Sequence, residues 1–152
     1  MTGGALPDVS ELVPHEPPML LLGALRTYDD EGVTCTVRIT ADALFVETRG
    51  EELCVPAVVG LEYMAQCVAV YAGLTARREG RPPRIGFLIG CRELRLDVEA
   101  FSVGETLDVE ARRLWGDTDV GSFACTVKRG QEIVVSGTLS VYQGSLPEEV
   151  RR

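Results

Sequence analysis

The chain has 152 residues, a formal net charge of −8, and 45% hydrophobic against 25% charged residues. Such a chain makes one soluble globular domain, large enough for a real core. The acidic balance argues against general nucleic-acid binding. The five cysteines are scattered, with no C-x-x-C or Cys/His cluster, so a metal site is not expected.

Residues 1–12 are Gly-rich, then acidic, with a short helix expected after Asp8. The run V-P-H-E-P-P-M-L-L-L follows. It holds His15, the only histidine of the chain, in a loop stiffened by Pro17 and Pro18. A first strand is expected over residues 19–28, a turn at D-D-E-G, and a half-buried alternating strand over 33–39. Residues 40–54 read as irregular, with Phe45 and Val46 as anchors. After residue 84 the pattern is strand and turn. Strands are expected over 85–96, 106–115, 120–128 and 133–142, with turns at Gly104, 116–119 and Gly130 and a polar tail over 144–152. The glycines Gly86 and Gly90 inside the first of these strands mark a bulge or a close backbone approach. No repeat, linker or second domain is evident, so residues 1–152 read as a single domain with its core over about 13–142.

Between the two strand regions lies V-P-A-V-V-G-L-E-Y-M-A-Q-C-V-A-V-Y-A-G-L, residues 55–74. It has the length of one long helix and is apolar on nearly every side, which predicts burial all round. Glu62 and Gln66 interrupt it four residues apart, on one face. A buried carboxylate must be paired, protonated or put to use. Pro56 suits the first helical position, and Val55 before it cannot cap. The first N–H groups, around Ala57 and Val58, therefore have no local side-chain partner and suit a ligand's oxygen. Arg77 and Arg78 favour the last turn, Gly80 a left-handed stop, and Pro82 and Pro83 end the helix. This is also the only segment long enough to span a membrane; Glu62, Gln66 and two glycines make it a poor span. No basic-then-apolar leader opens the sequence given, and the expectation is a cytoplasmic protein with reduced thiols. Arg77, Arg78, Arg81 and Arg84 form a local basic cluster on this acidic chain. Two strands, one buried helix and four more antiparallel strands make an α+β fold, a sheet wrapped around one helix.

Three of these stretches together resemble a known family. V-P-H-E-P-P-M-L-L-L, V-P-A-V-V-G-L-E-Y-M-A-Q and F-L-I-G-C-R-E-L-R-L resemble the loop, central-helix and third-strand motifs of FabZ/FabA-type 3-hydroxyacyl-ACP dehydratases. The match spans about residues 13–142, and the FabZ-like dehydratases of aryl-polyene-type pathways look most similar. The resemblance implies a hotdog fold and a dimer joined edge to edge, with the catalytic His of one subunit meeting the acid of the other. By motif, His15 matches that His and Glu62 that acid. Ala57 matches a glycine whose N–H faces the thioester carbonyl. Val58, Gln66 and Gly90 join it as substrate-binding candidates. Arg77, Arg78, Arg81 and Arg84 would dock acyl carrier protein, whose phosphopantetheine arm carries the substrate; no other cofactor or metal is implied. The family's F-P-G loop before the helix is replaced here by F-V-E-T-R-G-E-E, and its Asp-Arg at the first strand by Gly23-Ala24.

Dehydrating a 3-hydroxyacyl thioester to the trans-2-enoyl product needs a base for the C2 proton, an acid for the leaving hydroxyl and donors for the enolate-like oxygen. An imidazole, a carboxyl kept neutral by apolar surroundings and free helix-start amides suit those roles. Gln66, one turn from Glu62, is placed to hold the carboxyl. A structural reading competes at each position: His15 as a loop residue, Glu62 paired with Arg92 or Arg95, Tyr63 and Met64 as core or tunnel lining, Cys54, Cys67 and Cys91 as core. Two other functions compete as well. One is a hotdog thioesterase, using the helix acid to activate water. The other is a non-catalytic partner subunit of a dehydratase heterodimer. The assembly expected is a homodimer or higher homo-oligomer, or a heterodimer with a second dehydratase.

Overall fold

A computed structural model describes residues 5–82, 86–117 and 119–143. Among them one long helix packs on an antiparallel sheet. The chain enters through a 3-10 turn, Val9–Glu11, whose start is capped by Asp8: its carboxylate accepts from the Ser10 N–H at 2.9 Å. Strands β1 (Ala24–Tyr28) and β2 (Gly32–Arg38) follow, then β3 (Glu47–Arg49) and β4 (Glu52–Pro56). A 3-10 turn, Ala57–Val59, leads into α1, Gly60–Arg78. Beyond it come β5 (Phe87–Leu96), β6 (Ala100–Ser102), β7 (Thr106–Gly116), β8 (Val120–Arg129) and β9 (Glu132–Tyr142). The main sheet runs β1-β2-β7-β8-β9-β5, and β3-β4-β6 form a small second sheet.

The main sheet follows the alternation in the sequence. Leu107, Val109 and Ala111 of β7 and Val127 of β8 point inward and are fully buried, each contributing about 1.5–3 kcal/mol of transfer energy for the larger side chains. They meet Tyr63, Cys67 and Val70 of α1. Tyr63 packs on Phe101 with ring centroids 5.9 Å apart, and Tyr71 meets Phe123 edge-on at 5.3 Å. Met64 is also fully buried, so both Tyr63 and Met64 belong to the core. The segment Ala57–Arg78 has the length and apolar content of a membrane span; here that apolar surface is what covers the sheet.

The helix is not buried all round. Leu61, Glu62, Ala65, Ala69 and Ala72 form a half-exposed stripe on the side away from β2 and β7. Its start differs from the expectation too. Val55 and Pro56 belong to β4, because Val55 pairs with Phe101 of β6. Gly60 is needed where the helix crosses β9: a Cβ there would lie 3.2 Å from a Val135 methyl. The end is as expected. Gly80 has φ 70°, and the Arg81 N–H returns to the Ala76 carbonyl at 3.0 Å.

Other differences have local causes. The first strand starts at Ala24 and not at residue 19, since the Met19 carbonyl and the Leu21 N–H bond a side chain of α1 and not a neighbouring strand. Residues 40–54 are not wholly irregular: β3 and most of β4 lie there. With β6 they form strands three to five residues long, paired across a wide gap in sequence. Five strands, not four, therefore follow the helix. The expected strand start at Ile85 and the polar tail lie outside the described residues. Gly90 follows the bulge expected in β5, where the register against β9 slips between Leu88 and Gly90.

Gly73 is the tightest contact between α1 and the N-terminal segment: an added Cβ would stand 2.1 Å from the Leu12 carbonyl oxygen. Gly73→Ala is expected to cost about 1–3 kcal/mol through this overlap, lowering the thermal midpoint by roughly 2–10 °C. Calorimetry of the purified variant checks it; an unchanged midpoint would mean that this segment moves aside freely.

Candidate active site

Gln66 organises the site. Its side chain has no exposure, which for a primary amide demands full hydrogen bonding. Its Oε1 accepts from the Leu21 N–H at 2.8 Å, and its Nε2 donates to the Met19 carbonyl at 2.7 Å and to Glu62 Oε1 at 3.1 Å. The amide orientation is fixed by this set, because a flip would set N–H against N–H. One side chain thus ties α1 to the chain that follows His15 and also grips the Glu62 carboxyl.

His15 Nε2 lies 4.0 Å from Glu62 Oε1, too far for a direct hydrogen bond. The His15 Nδ1 is sealed from solvent and meets no protein partner among the described residues. Both side chains retain access, 29% for His15 and 41% for Glu62, so a reactant can reach the gap between them. They border a cavity of about 180 Å³. Apart from the Gln143 side chain at its far end, its other walls are mainly apolar or backbone: Leu12, Ala65, Val68, Ala69, Leu88 and Val141 among them. Glu62, Ala65 and Ala69 of the half-exposed stripe of α1 form one side of this cavity.

The candidate residues do not all meet here. His15 and Glu62 converge within one chain, which corrects the expectation that they meet across a subunit boundary. Arg92 and Arg95 are not the partners of Glu62; Arg95 pairs with Asp97 at 3.1 Å. Ala57 does not offer its amide to a ligand: it is buried, and its N–H donates to the Glu99 carbonyl at 2.9 Å. That bond exists because β6 brings the 97–100 turn under the helix start. Val58, the next residue, is 53% exposed, and no side chain caps this start. Gln66 is too deep to touch a substrate and acts through Glu62 and the loop. Gly90 is on β5 with open space around its α-carbon and does not line the cavity. Arg77 pairs with Glu11 at 3.7 Å, Arg78 with Asp30, and Arg81 with Glu79 at 2.8 Å, the first two in the last turn of α1 and the third just past it, at the opposite end of the helix from Glu62. Arg84 lies outside the described residues.

The thiols take no part in this cavity. Cys35, Cys54, Cys67 and Cys125 are buried. Contact with Cys35, then burial, pushes the Cys67 thiol up, and burial pushes Cys125 up to about 12, so both are neutral thiols near pH 7.

A single helix against an antiparallel sheet, with an acid on that helix facing an apolar cavity, is the hotdog architecture. The chain belongs to the ApeP-like dehydratase family, whose model matches residues 7–151. Among solved structures, the dehydratase heterocomplex ApeI:P from Xenorhabdus doucetiae is similar over 97% of both chains at 29% identity, with a TM-score of 0.88. Two more distant structures share the fold alone. The uncharacterized protein PH1136 from Pyrococcus horikoshii has 14% identity over 93% of this chain and 97% of that one, at a TM-score of 0.65. A hypothetical thioesterase with coenzyme A from Streptococcus pneumoniae TIGR4 has 8% identity over 82% and 87%, at 0.60. No curated protein matches the chain.

Gln66→Leu keeps the volume but strands the Met19 carbonyl and the Leu21 N–H. The expected cost is about 2–4 kcal/mol, a fall of roughly 5–15 °C in thermal midpoint. Thermal unfolding followed by circular dichroism measures it; a loss under one degree would show that solvent replaces the amide at no cost.

Proposed function

We infer that the chain dehydrates 3-hydroxyacyl thioesters carried on acyl carrier protein, giving the trans-2-enoyl thioester. The observation that carries this reading is the His15–Glu62 pair at an apolar cavity, in a chain of a dehydratase family. In this reading C2 and C3 lie in the gap between the two side chains. His15 Nε2 takes the C2 proton, and the C–H electron pair becomes the C2–C3 double bond. The C3–O bond breaks as Glu62 gives its proton to the departing hydroxyl, which leaves as water. The Gln66 N–H already points at Glu62 Oε1, so the proton of the neutral acid sits on Oε2, free to face the substrate. The medium then takes the proton from His15 and returns one to Glu62.

The exposed edge of the sheet favours action within an assembly. β5 ends the main sheet and leaves Phe87, Leu88, Ile89, Leu94 and Leu96 each about two-fifths or more exposed. So long an apolar edge calls for a cover. A second copy or a second dehydratase chain, as in the ApeI:P heterocomplex, would supply one. Such a partner accounts for the chain equally well as the non-catalytic half of a pair, and the experiment below separates the two roles.

His15→Ala and Glu62→Gln should each lower kcat/KM for hydration of a crotonyl thioester, the reverse reaction, by roughly 10²–10⁴-fold. Both substitutions are assayed in the purified chain alone and after adding a second dehydratase chain. Near-wild-type rates in either variant, in both settings, would remove that residue from the chemistry and leave this chain the partner role.

A further inference from the structure

A second cleft, of about 660 Å³, opens beside the C-terminal part of α1, against the end of β7, the start of β8 and the end of β9. Its volume is in the range of small-molecule sites, and neither His15 nor Glu62 borders it. Three arginines and four carboxylates do. Most of these charges are already spent. Arg78 is paired with Asp30, and Arg81 with Glu79. The Asp117 carboxylate accepts from the Val120 and Asp119 N–H groups, both at 2.9 Å, and these bonds hold it below the usual carboxylate range. Asp119 is engaged as well. Arg113 differs: it makes no ion pair among the described residues. Its Nη2 donates to the Gly116 carbonyl at 2.7 Å, which holds the guanidinium at the turn between β7 and β8. Of the five N–H donors of an arginine, four then remain for a ligand. Apolar groups complete the lining: Ala72, Val120, Val141 and the edge-on pair of Tyr71 and Phe123.

We propose that this cleft is a second ligand site, which takes a small organic carboxylate with its head on Arg113 and its apolar body against Val120, Phe123 and Val141. The planar guanidinium matches a carboxylate in shape, with two parallel N–H···O bonds. One negative charge fits and two do not. The border of the cleft is not cationic as a whole, since its carboxylates outnumber its arginines by one. No long-range field draws a polyanion there. A single unpaired cation matches a single charge, and the second charge of a phosphate would stand among carboxylates with no cation left to meet it. The site is independent of the dehydratase reading: it uses neither His15 nor Glu62. Val141 and Gln143 border both the cleft and the cavity of that pair, so the test includes a variant that tells the two apart.

The test uses the purified full chain and cyclohexanecarboxylate, titrated by calorimetry and by the fluorescence of Trp115. This is the only tryptophan of the chain, and it adjoins Gly116 of the cleft. Saturable binding is expected. Cyclohexylmethanol, of similar shape but uncharged, should bind at least tenfold more weakly. Arg113→Gln should weaken the carboxylate by about 10–100-fold. Arg113→Lys, which keeps the charge and loses the fork, should fall between the two. His15→Ala should leave the affinity unchanged. Arg113 is exposed, so the glutamine variant is expected to fold, and its thermal midpoint checks this; the lysine variant carries the test if it does not. Four results would each overturn the proposal. They are no saturable binding to the unaltered chain, equal affinity after the change at Arg113, loss of binding in His15→Ala, which would put the ligand in the other cavity, and tighter binding of cyclohexyl phosphate than of the carboxylate.

Discussion

A buried primary amide must satisfy two donors and an acceptor or destabilise its surroundings by several kcal/mol. Gln66 meets that demand with three groups from different places: a backbone carbonyl and a backbone N–H from residues 19–21, and a carboxylate one helical turn away. The requirement is local, but its consequence reaches across the molecule. It keeps residues 19–21 out of the sheet and pins the chain just past His15 against α1. It also fixes one oxygen of Glu62. The separation of the imidazole from the carboxyl follows from this one anchor, together with the fit of Gly73 against Leu12. A site built so depends on packing in the core and not on the conformation of an exposed loop.

The helix that carries Gln66 is asymmetric. The side towards the sheet has large residues, Tyr63, Met64, Val70 and Tyr71, which fill the core. The side towards the cavity has Ala65, Ala69 and Gly73, all small. Small residues on one face of a helix are ordinarily explained by close packing of another element. At Gly73 that explanation holds, since Leu12 touches it. At Ala65 and Ala69 the neighbouring space is open, and the same small side chains serve to keep a channel.

The periodicity of the chain was enough for most of the fold. The alternation in β2, β7, β8 and β9 reports a sheet with one face in the core, and the residues around 60–78 report a helix with a clean C-terminal stop. The short strands β3, β4 and β6 left no such mark. Three to five residues cannot display a period, and the pairing of Val55 with Phe101 is a contact between segments remote in sequence. That contact is also why the helix starts later than Pro56 suggests, and why Ala57 donates to Glu99. The motif at Ala57 correctly marks a helix start, yet the availability of its amide depends on a turn some forty residues away. His15 and Glu62 were legible as chemistry because a lone histidine among prolines and a lone acid in an apolar helix both call for explanation. Their meeting within one chain was not legible, because it is settled by the Gln66 anchor, which involves backbone groups that no side-chain pattern records.

The exposed half of α1 and the apolar edge β5 border the same cavity, since Leu88 of β5 and Ala65 of α1 both line it. Leu88 is 43% exposed even so. The channel wall on that side is thus one strand thick, and its outer surface is apolar and without a further layer among the described residues. A partner covering β5 would change the dielectric around the channel even if it contributed no side chain to it. Excluding water there would strengthen the polar contacts at Glu62, the hydrogen bond from Gln66 among them. Assembly and the strength of the hydrogen bond that holds Glu62 are coupled in such an arrangement by solvent exclusion alone, so the cover on β5 and the geometry of this site are one physical question.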